Sequence, residues 1–424
     1  MAITDCWQGC TLSAHWCEAE PKSSQAAPAT WAGLVPHLLR RCLAAAFPPL
    51  NAPIPLADAA CLYDSLRLTC KAWSAALEDA PVQVAVSISK PPPPAAYTWL
   101  SAHAAALHFS PRDSSALQLL SPTSLRAAEG ACRAAKRRAT SQLRRLLQHL
   151  PTFASLRALC IRHPPCEEGE EWPIDMQTFA GLPRLEVMVV KGFAAPDLHG
   201  LPPTLRTLRV LGNGWGGGGP PTREEAAIPQ GCSLASVVLA GYYTVMEEFG
   251  HMHIDECGLD DCFSVHLPAL ASCCRELLVD AEAITLTEIP RDSPPYLEDD
   301  ASDLRPLAAA LAAAMSGAMP LRRLLIDSNA AFLFLDEAGA MQCARASALL
   351  EGDGRAAVQA HGLAVQALDD GEQEGGYWKE EEEEERPVQV SAWLEDDGAG
   401  LLPRDVQEWG LELSHGTLLI SSTA

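Results

Sequence analysis

Apolar residues recur along this chain first at helical and then at strand spacing. From Leu34 to Ala46 they fall at Leu34, Leu38, Leu39, Cys42, Leu43 and Ala46, the stripe of one helix face. Pro36 fits the first turn of that helix, where its missing N–H costs nothing. A turn with Pro48, Pro49, Pro53 and Pro55 follows, and a second helix is predicted over roughly Ala57 to Leu77. Val82, Val84, Val86 and Ile88 then alternate with Gln83, Ala85 and Ser87, which predicts a strand ended by Pro91–Pro94. Residues 124–149 predict a basic helix carrying Arg126, Arg133, Lys136, Arg137, Arg138, Arg144 and Arg145. A nuclear-import signal, or a kinase site at Thr140, is the specific reading of that helix. A solvated helix face is the plainer and better supported one.

Strand-sized units come next. They are Leu156-x-x-Leu159-x-Ile161, Leu185-x-x-Met188-x-Val190, Leu205-x-x-Leu208-x-Val210, Leu234-x-x-Val237-x-Leu239, Cys274-x-x-Leu277-x-Val279 and Leu321-x-x-Leu324-x-Ile326. Their starts lie 29, 20, 29, 40 and 47 residues apart. In each, the last two apolar residues share one strand face and the first closes the turn into it. Such triples also arise by chance in a chain this aliphatic. The phrase ahead of them is more specific: Leu150-Pro151, Leu182-Pro183, Leu201-Pro202 and Met319-Pro320 each precede a unit. The spacing and phrasing resemble irregular leucine-rich repeats, whose units stack because none buries its apolar face alone. The alternative is an ordinary α/β domain with buried strands.

The remainder is less regular. Gly216–Gly219 and residues 290–303 read as loops, and Leu304 to Met319 as an Ala-rich helix leading into the Leu321–Ile326 strand. Residues 336–370 read as helical, interrupted by Gly339, Gly352, Gly354 and Gly362. The expected organisation is a loose lead-in over 1–30, a helical module over 31–77, a repeat-like α/β region over 78–368 and an acidic linker over 369–386. A closing strand pair over 387–424 follows, built on Val388, Val390 and Ala392 and on Leu418 and Ile420.

Charge sharpens this division. Of 424 residues, 31 are Lys or Arg and 54 are Asp or Glu, a net of −23. Residues 1–210 carry 20 basic against 16 acidic groups, and residues 211–424 carry 11 against 38. So acidic a surface repels phosphate, so nucleic acid is not the expected partner. The run Glu380–Glu385 reads as a solvated segment. Fifteen scattered cysteines and a start lacking a basic-then-apolar leader predict reduced thiols in the cytoplasm or nucleus. The longest apolar run, Leu307 to Met315, is too short to span a bilayer, so no membrane is expected as a partner.

The two N-terminal helices hold the most informative pattern. The first reads Leu34-Val-Pro36-His-Leu38-Leu39 with Leu43 one turn on; the second ends Leu66-Arg-Leu68-Thr-Cys70-Lys71-Ala-Trp73. Together they resemble an F-box over about forty residues, Leu34 to Trp73. Val35 stands where that family most often has proline, Pro36 lies one position later, and His37 replaces an acidic residue. The resemblance implies a helical clasp that docks a Skp-family adaptor, itself held by a cullin scaffold. The implied adaptor-binding residues are Leu34, Pro36, Leu38, Leu39, Leu43, Leu66, Leu68, Cys70, Lys71 and Trp73. An F-box ahead of such repeats implies a substrate receptor of a ubiquitin ligase, whose mechanism is effective concentration rather than catalysis. Its target would lie on the concave sheet face. The alternative is a repeat scaffold whose first helices only cap the core.

Enzyme motifs are absent: there is no nucleophile elbow, Walker A loop, H-E-x-x-H or dinucleotide fingerprint. Gly212 to Gly219 runs into Pro220-Pro221 rather than a helix, so it reads as a loop. His251, His253, Cys257, Cys262 and His266 offer zinc-type ligands, but at loose spacing with no C-x-x-C frame. Buried cysteine and surface histidine explain them better, as they do Cys6, Cys10, His15 and Cys17. Neither a catalytic residue nor a cofactor is expected.

Overall fold

The computed structural model describes residues 38, 41–42, 45–69, 71–79, 83–89, 92–110, 137, 141–162, 177–191, 201–211, 233–240, 264–272, 274–280, 283–287, 303–316, 321–368, 400–401 and 416–423. The strands in these residues are β1 (Ile54–Pro55), β2 (Val84–Ile88), β3 (Ala104–Phe109), β4 (Ala158–Arg162), β5 (Val187–Lys191), β6 (Thr207–Leu211), β7 (Leu234–Ala240), β8 (Ser264–His266), β9 (Cys274–Asp280), β10 (Ala283–Thr285), β11 (Arg323–Asp327), β12 (Ala331–Leu335), β13 (Met341–Arg345), β14 (Leu363–Leu368) and β15 (Thr417–Ser422).

The architecture is mixed α/β around a large, mostly parallel sheet of eleven strands in the order β1-β2-β3-β4-β5-β6-β7-β9-β11-β15-β14. From β1 to β11 every neighbour is parallel and the order across the sheet follows the order along the chain. β15 enters antiparallel between β11 and β14 and ends that run.

All six apolar units meet in one core. Their second residues form a single row, Leu159, Met188, Leu208, Val237, Leu277 and Leu324, each beside the next across the sheet. The third residues form the next row, Ile161, Val190, Val210, Leu239, Val279 and Ile326. The row of second residues continues through Leu107 and Val86 at one end and Ile420 and Val365 at the other. With the six leading residues, every one of these side chains is buried in the same cluster. A one-residue slip in any strand would turn its apolar set to the other face, so the register is strongly specified.

The proline phrase has a local cause. In Leu150-Pro151, Leu182-Pro183 and Leu201-Pro202 the leucine is buried in the core. Phe153 N–H donates to Leu150 O at 2.9 Å, Leu185 N–H to Leu182 O at 3.4 Å and Leu205 N–H to Pro202 O at 3.0 Å. Pro151, Pro183 and Pro203 thus stand second in tight turns, where their fixed φ is already suitable. Each turn hands the chain to the first leucine of the following unit.

Between later strands of the large sheet the chain visits a second one, of order β13-β12-β10-β8. β8, β10 and β12 are parallel, and β12 turns back into β13 through a hairpin. Val265, Ile284 and Phe332 of this sheet point into the shared core, packed with the helix Arg305–Met315 through Leu307, Leu311 and Met315. The hairpin turn is held by Asp336, whose Oδ1 accepts from the N–H of Ala338 (2.9 Å) and Ala340 (2.8 Å). These bonds, led by that from Ala340, keep its carboxyl below the usual range.

The opposite face of the large sheet is also shielded. Ala158, Cys160, Val187, Val189, Val238, Leu278 and Leu325 form a second buried cluster, with Leu50, Leu401 and Leu419 packed in it. Arg209 on the same face is only 3% exposed. At its far edge Asp280 lies beside Asp327 across the β9–β11 pair. Burial, and secondarily the charge of Asp327, pushes the Asp280 carboxyl up to about 6. Its folded pKa therefore lies above the unfolded one, so the charged form destabilises the fold above pH 6 and the effect disappears as pH falls through about 4. Allowing for solvent at the strand ends, Asp280→Asn is expected to stabilise the protein by about 2 kcal/mol at pH 7.5. Denaturation curves of both proteins at pH 7.5 and pH 4 check this, since the gain should vanish at the lower pH.

Several expected elements differ in the fold. The single helix over Ala57 to Leu77 is two, Leu56–Thr69 and Lys71–Asp79. Residues 336–370 are mostly not helical: they hold β13, a 3-10 turn Ala346–Leu349, the helix Gly352–Ala360 and β14. Gly339 and Gly362, with φ of 77° and 72°, make turns that end a helical reading. Leu418 and Ile420 do form a strand, β15, but their partners are β11 and β14. Val388, Val390 and Ala392, the lead-in 1–30 and the acidic linker lie outside the described residues.

Candidate functional site

The helix Leu56–Thr69 turns one side inward. Ala59 and Tyr63 are buried, and Leu62 and Leu66 pack against the core. Tyr63 meets Trp99 edge-on at 6.0 Å and His103 at 4.3 Å, while Trp99 and His103 lie 4.9 Å apart. These three rings join the N-terminal helices to the helix Pro94–His103. β1, just ahead of Leu56–Thr69, pairs with β2, so the module is stitched to the sheet by backbone as well. In Lys71–Asp79, Ala76 and Leu77 are buried and Trp73 is half-buried against the same core.

The other side of Leu56–Thr69 is exposed through Cys61, Asp64, Ser65 and Leu68, the last at 69%. Ahead of these helices, Leu38 is helical and 40% exposed, in a stretch of which most lies outside the described residues. Among the described residues Leu38 and Leu68 are the exposed large hydrophobics. Lys71 is exposed where the next helix begins. The inward set thus takes Leu66 and Trp73, and the outward set takes Leu38, Leu68 and Lys71. Leu34, Pro36, Leu39, Leu43 and Cys70 lie outside the described residues.

A second locus was not singled out in the sequence. Where the chain enters β4, β5, β6 and β7, and along the start of β9, lies a groove of about 720 Å³. Among the described residues, four arginines line it, Arg157, Arg184, Arg206 and Arg275, with one carboxylate, Glu186. Arg157 grips Glu186 in two parallel bonds, Nε to Oε1 at 3.1 Å and Nη2 to Oε2 at 2.8 Å. That hydrogen bonding holds the Arg157 pKa above its ordinary value. Arg184, Arg206 and Arg275 have no ion-pair partner among the described residues.

The groove's arginines are positioned by the backbone ladder. Glu186 N–H donates to Arg157 O at 2.8 Å, Arg206 N–H to Glu186 O at 2.8 Å, and Ala235 N–H to Arg206 O at 2.7 Å. Arg157, Glu186, Arg206, Ala235 and Arg275 each follow the leading apolar residue of a unit. The signal was present as Leu156-Arg157, Leu205-Arg206 and Cys274-Arg275, but only stacking shows that these positions adjoin.

No family model matches this chain, and neither a curated protein nor a solved structure matches it.

Of the zinc-type residues, His251, His253, Cys257 and Cys262 lie outside the described residues, as do Cys6, Cys10, His15 and Cys17. Cys274 is buried, and its thiol donates to Leu270 O at 3.2 Å. No helix among the described residues is long and apolar enough to cross a membrane.

Proposed function

We propose that this protein is a substrate receptor of a cullin-based ubiquitin ligase, docking a Skp-family adaptor with the outward side of its N-terminal helices. The observation that carries this reading is the exposure of Leu38 and Leu68. A chain that shields large side chains on both faces of its main sheet leaves these two in water. Both belong to the leucine pattern that resembles an F-box. Exposed leucine on a helical pair is favourable chiefly when a partner covers it, since each buried leucine contributes about 2 kcal/mol.

The inward side of the same helices caps the core through Tyr63, Ala76 and Leu77. Capping and docking therefore use different sides, and the capping role does not compete with the proposal. Strands that follow one another in chain order, with the later coils also feeding a second parallel sheet, support an irregular leucine-rich-repeat solenoid behind the module. The buried second face argues against target binding on the broad sheet face and favours its edges.

Co-purification with a Skp-type adaptor tests the function. Wild type should be retained, and Leu38→Asp/Leu68→Asp should be lost with its thermal midpoint unchanged. Equal retention of both proteins, or retention of neither, sinks the proposal.

A further inference from the structure

We propose that the arginine groove at the strand starts binds an acidic segment of a partner protein through its glutamate or aspartate carboxylates, with Arg184, Arg206 and Arg275 as the recognising groups. That this partner is the receptor's target rests on the reading above; the groove's affinity for such a segment does not.

The chemistry is already at work inside the groove. Arg157 holds Glu186 in a fork of two bonds, at 3.1 and 2.8 Å, the paired geometry in which guanidinium recognises carboxylate. That pair takes both of its members out of further charge pairing. Glu186 is the one carboxylate among the described lining residues, so none there is left to neutralise Arg184, Arg206 and Arg275. All three are exposed, and none has an ion-pair partner among the described residues. A neighbouring arginine of the same sheet is answered: Arg323 of β11 pairs with Glu276 of β9. The groove thus gathers three uncompensated positive charges in a chain whose net charge is −23. At physiological salt charges are screened beyond about 8 Å, so this local excess outweighs the sign of the whole for a group that enters the groove.

The distribution of charge selects the anion. Arg184 lies in the turn closed by the Leu185 N–H to Leu182 O bond, Arg206 immediately precedes β6 and Arg275 is the second residue of β9. Ala235 of β7 stands between the last two: its N–H donates to Arg206 O at 2.7 Å, and its neighbours Leu234 and Ser236 face Cys274 and Glu276. The free charges are therefore carried on three separate elements, two of them divided by a small neutral residue. Single carboxylates along a chain segment match charges so divided, whereas a phosphate concentrates its charge at one point. The groove is lined from the entries of five strands, and its arginines, Pro183 and Pro203 are open to solvent. A site of that form suits a segment laid along it better than a compact small molecule, which binds by burying most of its surface. Residues 211–424, with 11 basic against 38 acidic groups, disfavour a long polyanion such as nucleic acid.

The probe is a fluorescent peptide of three Glu-Glu-Ser repeats, titrated by anisotropy into the full-length protein without adaptor at about 0.15 M salt. Its Gln-Gln-Ser counterpart, a charge-matched phosphoserine peptide and a DNA oligonucleotide are titrated beside it. Saturable binding is expected, at least about tenfold tighter than that of the glutamine peptide. Arg206→Glu/Arg275→Glu should weaken it by more than about tenfold, and Arg206→Gln/Arg275→Gln, which adds no repulsion, by at least about fivefold, at unchanged thermal midpoints. Arg145→Glu/Arg355→Glu changes the net charge equally at exposed arginines that do not line the groove, and should alter binding by less than about twofold. A chain with Glu380–Glu385 replaced by glutamine should bind the peptide as wild type does. No saturable binding, binding by that glutamine chain alone, equal loss in the Arg145→Glu/Arg355→Glu chain, or equal or tighter binding of the phosphoserine peptide or DNA would each overturn the proposal. Adaptor retention is measured separately, so a dead groove with a retained adaptor sinks this inference and leaves the docking proposal standing.

Discussion

Replacing Leu278 by alanine is expected to destabilise the protein as much as replacing its neighbour Leu277. The two residues stand side by side on β9 and point to opposite faces of the large sheet. Leu277 belongs to the core shared with the second sheet and the helices. Leu278 belongs to the cluster on the other face, and both are fully buried. Removing three carbons from a closed site loses their transfer energy and leaves a cavity that relaxes only partly, so each substitution should cost about 3 kcal/mol. A repeat sheet with one open face would respond differently: the inner leucine would cost the full amount and the outer one under about 0.5 kcal/mol. Chemical denaturation of the two variants therefore reports whether the broad sheet face is free to hold a target. Near-equal losses keep it closed and leave the strand edges as the surface for recognition.

Gly354→Ala should be the more severe surprise, because helix propensity predicts the reverse. Gly354 lies in the helix Gly352–Ala360, where alanine ordinarily adds about 1 kcal/mol over glycine. Here an added Cβ would run into the carbonyl oxygen of Ala348 and come within 2.7 Å of Leu304 Cδ1. The first obstacle is backbone of the 3-10 turn Ala346–Leu349, which is anchored in the core by Ala346 and Leu349 and cannot swing aside. Leu304 yields more easily, being a flexible side chain at the start of the helix Arg305–Met315. The net expectation is a loss of about 3 kcal/mol, the upper range for overpacking, measured as a fall in thermal midpoint. Gly352, whose added Cβ would meet nothing, has a φ of 53°, so alanine there should cost only the smaller strain of a left-handed backbone.

The sequence alone carried the framework of the sheet. Six apolar triples and three of the Leu-Pro phrases mark strands and turns that the fold contains, because residue period and proline's fixed φ act locally. Helical structure over Ala57 to Leu77 was legible for the same reason, though not its division into two helices, and so was the helix near Leu307; the expected helix over Leu34 to Ala46 lies mostly outside the described residues. The buried second face was not recognised, although Val187-Met-Val-Val190 and Leu277-Leu-Val279 are continuous apolar runs rather than alternations, the mark of a strand shielded on both sides. Such runs mark a strand covered on both sides, but they do not name what lies across the sheet to cover it.

Tertiary structure decided the rest. β15 reaches β14 from some fifty residues further along the chain and β11 from some ninety, where no local pattern names a partner. Hairpin and helix share residues 336–370 because glycine turns, not apolar period, divide that stretch. Only stacking brings Arg157, Arg206 and Arg275 into one groove, since each stands alone in sequence and gains meaning from the strand beside it. Likewise the resemblance treats Leu66, Leu68 and Trp73 alike, as residues that meet a partner. Packing then assigned Leu66 and Trp73 to the protein's own core and left Leu68 to water, because Tyr63, Trp99 and His103 already fill the inward side.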